Sequence, residues 1–236
     1  MVPLRVATAP RLASGHWVAE LLPVETSEAQ ARLEAIAVQV RACVLCPLHS
    51  TRIQGVPGTG PATARLMAIG EAPGENEDRE GRPFVGAAGR LLNQLLDEIG
   101  LSRDDIFITN VLKSRPPGNR DPQPEEISAC APYLDAQIES LQPEVILLLG
   151  RHALQRLLPG APGISRAHGT LIRQGTRTYM PCYHPAAALY NGGLLGTLRQ
   201  DFRRLKAHLD QAASRPTPTR RTEPAPTPAD EQLGLF

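Results

Sequence analysis

The sequence predicts an α/β protein, a three-layer α/β/α sandwich around a short, mainly parallel central sheet of about four strands. Three observations carry this. Leu66–Gly70, Ile106–Val111 and Val145–Leu149 are short continuous apolar runs of the kind buried on both faces in a parallel sheet, and Tyr179–Tyr183 is a fourth candidate. Segments with apolar residues at helical spacing separate these runs, and strict strand–helix alternation puts helices on both faces of one sheet. The 236 residues suffice for one such domain with a substantial core. In this architecture the loops leaving the carboxyl ends of the strands share one edge, where ligands bind.

Residues 1–26 show no period and carry Pro3, Pro10 and Pro23, which predicts a loose extension. A first helix is expected from Ser27, with its hydroxyl as the cap and Gln30 as the box partner. Leu33, Ile36, Val40 and Cys43 recur on one face of it and direct Cys43 inward. Ala87–Ile99 is a second helix, with Leu91, Leu92, Leu95, Leu96 and Ile99 at helical spacing and Gly100 ending it. Glu125–Leu141, Arg151–Leu158 and Leu194–Leu209 complete the helices, which sets the domain at 27–212. From 213 to 231 prolines alternate with Thr, Ala and Arg; with nothing apolar to bury, this stretch reads as a disordered linker. It ends in Gln232-Leu233-Gly234-Leu235-Phe236.

A formal charge of +1 gives no global field toward polyanions, although a local basic strip suffices for phosphate contacts. Arg115, Arg120, Arg199 and Arg203 are the candidates for that strip. No run approaches the ~20 apolar residues of a membrane span, and the N-terminus lacks the apolar core of a signal peptide. A soluble, cytoplasmic monomer without a membrane partner is expected. In a reducing compartment Cys43-x-x-Cys46 favours a metal or redox site over a disulfide.

The first strand runs into Gly70-Glu71-Ala72-Pro73-Gly74, which has neither a Gly-x-Gly-x-x-Gly pattern nor the Lys-Ser/Thr of a P-loop. Gly81-Arg82-Pro83-Phe84-Val85-Gly86 and Gly89 follow and enter a helix, placing an aromatic ring at the sheet edge. Together with Thr109-Asn110-Val111, Arg115-Pro116-Pro117-Gly118-Asn119-Arg120 and Tyr183-His184-Pro185-Ala186, these segments resemble, in order, the motifs of the iron–sulfur uracil-DNA glycosylases (family 4). The resemblance covers Cys43 to about Arg204. It implies a monofunctional enzyme of base excision repair that hydrolyses the N-glycosidic bond of deoxyuridine in single- or double-stranded DNA.

The chemistry suits these residues. An enzyme acting on a base takes it out of the stack and reads it in a pocket. Phe84 can stack on the flipped ring, and the Asn110 amide can pair with uracil at N3–H and O4, a pattern that cytosine reverses. His184 is the candidate donor to O2, where negative charge gathers as the bond breaks. Backbone N–H groups at helix starts near Gly74 or Gly86 are further candidate donors. The resemblance implies that Glu77 sits against C5 and excludes the methyl of thymine, with Ala72 and Gly74 completing the uracil-binding wall. It also puts Ala72 where other uracil glycosylases hold a water-activating Asp, so a dissociative path is expected, with Glu71 as the second catalytic residue. Among Ala187–Leu189, Leu189 is the large apolar choice for a wedge that fills the gap left by the base.

The same resemblance implies a structural [4Fe–4S] cluster on Cys43, Cys46 and Cys130, with Ser114 at the place of a fourth cysteine. Thiolates are the usual ligands of such clusters. Three outcomes stay open: ligation through the serine oxygen, a weakened three-cysteine cluster, or an empty site or another metal. Gln232, Leu233, Leu235 and Phe236 resemble the pentapeptide by which bacterial repair proteins dock on the sliding clamp, with the linker supplying reach. Two other functions compete. A non-catalytic, clamp-tethered DNA-binding paralogue fits the lost cysteine, and an iron–sulfur electron carrier leaves Phe84, Asn110 and His184 unused.

Overall fold

The computed structural model describes residues 24–213. The expected linker, the clamp peptide and all but the end of the expected N-terminal extension lie outside them. In chain order the elements are α1 (Val24–Ala42), β1 (Leu66–Gly70), α2 (Glu75–Glu80), α3 (Ala87–Asp97), β2 (Phe107–Asn110), α4 (Pro124–Leu141), β3 (Val145–Leu149), α5 (Arg151–Leu157), α6 (Ile164–Ala167), β4 (Ile172–Gln174), β5 (Arg177–Cys182), α7 (Pro185–Tyr190) and α8 (Gly193–Ala213). The sheet has five strands in the order β2-β1-β3-β5-β4. Four pair in parallel, and β4 adds antiparallel to β5 at one edge.

The expected sandwich is therefore present with one more strand than the sequence predicted. Ile172–Gln174 is three residues long and partly exposed, so neither an apolar run nor a clear alternation marks it. Hairpin pairing with β5 makes it a strand. Helix α1 starts at Val24, so Ser27 lies inside the first turn and does not occupy the cap position. Helix α2 begins at the helix start expected near Gly74, whereas the short helices α6 and α7 were not expected, because four to six residues are too few to display a helical period.

The pleat sorts side chains by parity. Leu66 and Ala68 face a core built with Leu91, Leu92, Leu95 and Leu96 of α3 and Leu198, Phe202 and Leu205 of α8. Met67 and Ile69 face the other core, built with Leu33 of α1, Leu134 and Ile138 of α4 and Leu154 of α5. All five residues of β1 and of β3 are buried, which is why both read as unbroken apolar runs. Strand order reverses between β1 and β3, where a crevice opens at the carboxyl edge. No helix among the described residues is long and apolar enough to cross a membrane.

Candidate active site

A cavity of about 300 Å³ occupies that crevice, large enough for a small flat ligand. Glu71, Ala72, Pro73 and Gly74 line it from the loop after β1, Glu77 from α2, Phe84 and Ala88 from the entry to α3, and Asn110 from the end of β2. Pro116, Asn119 and Arg120 close one side, and His184, Ala186 and Tyr190 the other. Every pocket residue expected from the sequence thus meets in one cavity. Leu189, the expected wedge, is 51% exposed and is not part of the lining.

Asn110 ends β2 opposite Gly70 in the β1 register. It is 2% exposed, and its side-chain Oδ1 is buried without a hydrogen-bond partner. A buried, unpaired carbonyl oxygen costs roughly 1–3 kcal/mol, so its place in the lining marks it as a group waiting for a donor. Lys113 holds the backbone beneath it. The fully buried Lys113 Nζ donates to the Asn110 carbonyl at 2.8 Å, to Thr109 Oγ1 at 2.6 Å and to Gln137 Oε1 at 2.7 Å. Burial pushes the ammonium down to about 7.

Phe84 adopts φ 53°, left-handed backbone that a bulky side chain rarely occupies. Several contacts hold it there. Arg103 donates to the carbonyls of Phe84 and Pro83, and Gly89 gives the Phe84 carbonyl room that a Cβ would take away. A Cβ at Gly70 would collide with Asn110 Oδ1 and lie 2.6 Å from Phe84 Cζ. The missing side chain at Gly70 is thus what lets the ring and the amide share one floor. Behind the ring stands His184, its imidazole 5.4 Å away centroid to centroid and inclined by 29°.

The Glu77 carboxylate is spoken for. Its Oε1 accepts from Val85 N and Gly86 N, both at 2.8 Å, and its Oε2 from Gly74 N at 3.1 Å. Glu77 therefore staples the first motif to the Phe84 turn. This staple consumes Gly74 N and Gly86 N, so those two are not among the donors that the helix starts near Gly74 and Gly86 could offer a ligand. Asp78, 2% exposed, repeats the device one residue on by accepting from Ile53 N and Gln54 N.

His184 is the N-cap of α7, and its Nδ1 accepts from Ala186 N at 3.2 Å. Pro185, at the first helical position, has no N–H to offer. With Nδ1 accepting, the ring proton sits on Nε2, the nitrogen left for the pocket. Surrounding protein pushes the imidazole down to about 4, against a weaker pull from Glu77. At neutral pH His184 is an uncharged Nε2–H donor.

Glu71 has unexpected company. His152 Nε2 lies 3.7 Å from its Oε2 and 3.6 Å from Asp121 Oδ1. Burial holds the Glu71 carboxyl above the usual range and Asp121 adds to this, while His152 and Arg151 pull the other way. Glu71, Asp121 and His152 form the group of potential metal ligands found among the described residues. Arg151 already bonds Asp121 and donates to His152 Nε2 at 3.1 Å, so a guanidinium supplies the positive charge there. His152 was not legible in the sequence, because a histidine at the start of a helix carries no signal of its own.

The cysteines expected to ligate a cluster lie together beyond the pocket. Cys130 is buried with Leu48 and Leu112, and Cys46 packs against them. Cys43 follows α1 and neighbours Tyr133 of α4, whose phenol it pushes up. Cys130 Sγ accepts from Lys113 N at 3.3 Å, and burial pushes its thiol up, with Cys46 and Cys43 adding to the rise. Three thiols are the donor chemistry that an iron–sulfur cluster takes. At the place of a fourth, Ser114 is 2% exposed and its Oγ accepts from Arg52 at 2.7 Å. The same guanidinium donates to the carbonyls of Arg41 and Cys43, both at 2.9 Å. A clasp of Arg52 thus joins Ser114 to the end of α1. Cys182 is fully buried at the end of β5, in register with Leu149 of β3 and far in sequence from this group, and burial raises its thiol.

Of the basic candidates for phosphate, Arg199 is bound to Glu98, Arg120 to Glu126, and Arg115 to Asn119 and Glu75.

The fold and the site define a class: an α/β protein with a half-open, base-sized cavity at the carboxyl edge of its sheet, lined by an aromatic ring, a buried amide and an imidazole. The sequence model described as the Uracil DNA glycosylase superfamily matches residues 57–209. A type-4 uracil-DNA glycosylase of Saccharolobus solfataricus is 50% identical over 186 residues, 75% of this chain and 86% of that protein. Those of Sulfurisphaera tokodaii (48% over 183 residues, 74% and 83%) and Archaeoglobus fulgidus (44% over 181 residues, 73% and 91%) are similar over the same extent. The chain belongs to the uracil-DNA glycosylase superfamily, among its type-4 members.

Proposed function

We propose that the protein hydrolyses the N-glycosidic bond of deoxyuridine turned out of DNA, releasing uracil and leaving an abasic site for repair. The observation that carries this reading is the orphaned Asn110 Oδ1 in a cavity floored by Phe84. Uracil supplies the missing donor at N3–H, and the amide nitrogen returns a bond to O4. Cytosine has an acceptor at N3 and a donor at position 4, so it leaves both partners unpaired. Phe84 stacks on the ring, and Glu77 closes the wall at C5, where thymine carries a methyl.

Bond cleavage drives negative charge onto the departing base, mainly at O2, and positive charge onto the sugar. The His184 Nε2–H meets the first charge. As a neutral donor fixed by its Nδ1 bond it needs no reorganisation when the charge appears, which is how a preorganised dipole lowers a barrier. Ala72 offers no base, so departure of uracil runs ahead of attack by water. Glu71 orients that water and stabilises the cationic sugar, with His152 and Arg151 opposing the burial that raises its carboxyl.

Cys43, Cys46 and Cys130 would hold an iron–sulfur cluster, with Ser114 at the fourth corner. Its contribution would be structural, since Cys43 stands at the end of α1 and Ser114 in the loop after Asn110, a junction that the Arg52 clasp already makes. The terminal peptide Gln232–Phe236, with Leu233, Leu235 and Phe236 as apolar anchors, docks on the bacterial sliding clamp, a reading supported by its sequence alone. Uracil release from a deoxyuridine oligonucleotide tests the main proposal. Asn110→Ala should lower kcat/KM strongly and weaken inhibition by free uracil; full activity in that variant would refute the assignment.

A further inference from the structure

The helix after His184 offers the pocket one side chain that this chemistry does not use. On α7, residues four apart face the same way. Ala186 and Tyr190 are such a pair, and both line the cavity. Leu189 belongs with Pro185, which is buried, and lies off the lining. Tyr190 is 92% exposed, against 51% for Leu189. An aromatic ring standing in water at the mouth of a base-sized cavity is poised to meet a flat partner.

Its mounting is firm. α7 is capped by His184, and it packs between α3 and α8. The ring is therefore carried on a packed element at the rim of the cavity. Tyrosine has two side-chain torsions to order on contact, so docking it costs little entropy. Leucine fills space, whereas a phenol ring can also stack on the neighbouring base pair.

We propose that Tyr190 enters the base stack when deoxyuridine turns into the pocket, its ring taking the place vacated by the uracil. The inference rests on the reading of the cavity as a uracil pocket. Tyr190 is a positioning residue: it holds the duplex open while Phe84, Asn110 and His184 act on the base. A single strand has no gap to fill, so the requirement is specific to duplex substrate.

The test compares Tyr190→Ala, Tyr190→Phe and Leu189→Ala of the full chain on matched single- and double-stranded oligonucleotides carrying one uracil. Base–aromatic stacking of about 1–3 kcal/mol corresponds to about 5- to 150-fold at roughly 1.4 kcal/mol per decade. Tyr190→Ala should lose that factor in kcat/KM on duplex and little on single strands, with Tyr190→Phe near the unaltered protein and Leu189→Ala less affected than Tyr190→Ala. A duplex with 2-aminopurine beside the uracil gives a second readout. Its fluorescence rise on binding, measured in a His184→Ala background, should shrink with Tyr190→Ala. Equal duplex activity with and without Tyr190, equal loss on both substrates, or loss confined to Leu189→Ala would overturn the proposal. Absence of uracil release by the unaltered chain would instead sink the pocket reading, while the binding signal would still report on Tyr190.

Discussion

Replacing Gly70 by alanine probes the floor of the pocket with one added carbon. Gly70 is the last residue of β1, and strands on both sides hold β1 in its ladder. The new Cβ would lie 2.6 Å from Phe84 Cζ and closer still to Asn110 Oδ1. Ordinary contact begins near 3.4 Å, so the ring has to retreat by about 0.8 Å and the amide by about 1 Å. Neither has room. Phe84 is pinned in left-handed backbone by Arg103, and the Asn110 carbonyl by Lys113. Overpacking a filled core costs about 1–3 kcal/mol, and misplacing a reacting group by about 1 Å costs about 10²-fold. Gly70→Ala should therefore lose about two decades of kcat/KM for uracil release, unfold at lower denaturant by that 1–3 kcal/mol, and retain DNA affinity. Gly196→Ala is the control, since a Cβ there meets nothing within 4 Å. If Gly70→Ala excises uracil at the normal rate, the shared floor of Phe84 and Asn110 is wrong.

Other outcomes are expected at His184, Ser114 and the terminal peptide. His184→Ala should lower kcat by about 10²–10³, the cost of removing one fixed donor to a developing anion. In the unaltered protein His184, held down to about 4, should leave no inflection in the pH–rate profile between pH 5 and 8. Because its folded pKa lies below the unfolded value near 6.5, its contribution of up to about 3 kcal/mol to stability is complete above 6.5 and lost as pH falls toward 4; denaturant titrations of His184→Gln beside the parent should show that slope vanish. Ser114→Cys, purified anaerobically, should carry more iron and sulfide per chain than the parent, and equal contents would show that the fourth position does not limit the cluster. Deleting residues 232–236 should abolish capture by the sliding clamp without changing excision on short oligonucleotides; undiminished capture would refute the docking peptide.

Much of the pocket was legible in the chain because each of its parts is local. Gly70-Glu71-Ala72-Pro73-Gly74 and Tyr183-His184-Pro185 are short, distinctive strings at strand ends, and an α/β sandwich brings all its strand ends to one edge. Their residue types suit stacking, pairing and donation, and the resemblance to the family's motifs assigns those roles. β4 was not legible, since three half-exposed residues become a strand only by pairing with β5. The roles of the acidic residues were no easier to read. A glutamate three positions after Gly74 looks like any exposed acid until Gly74, Val85 and Gly86 are seen donating to it.

The sequence by itself determined the sandwich, because periodicity is written along the chain, and its resemblance to the family's motifs named most of the residues that meet in the pocket and the serine at the place of the fourth cysteine. The tertiary structure decided the state of each group. Which nitrogen of His184 carries the proton depends on Ala186, whether Asn110 has a partner depends on what surrounds it, and Ser114 is clasped by Arg52 from 62 residues away. Protonation, desolvation and hydrogen-bond saturation are properties of neighbours in space, and folding alone supplies those neighbours.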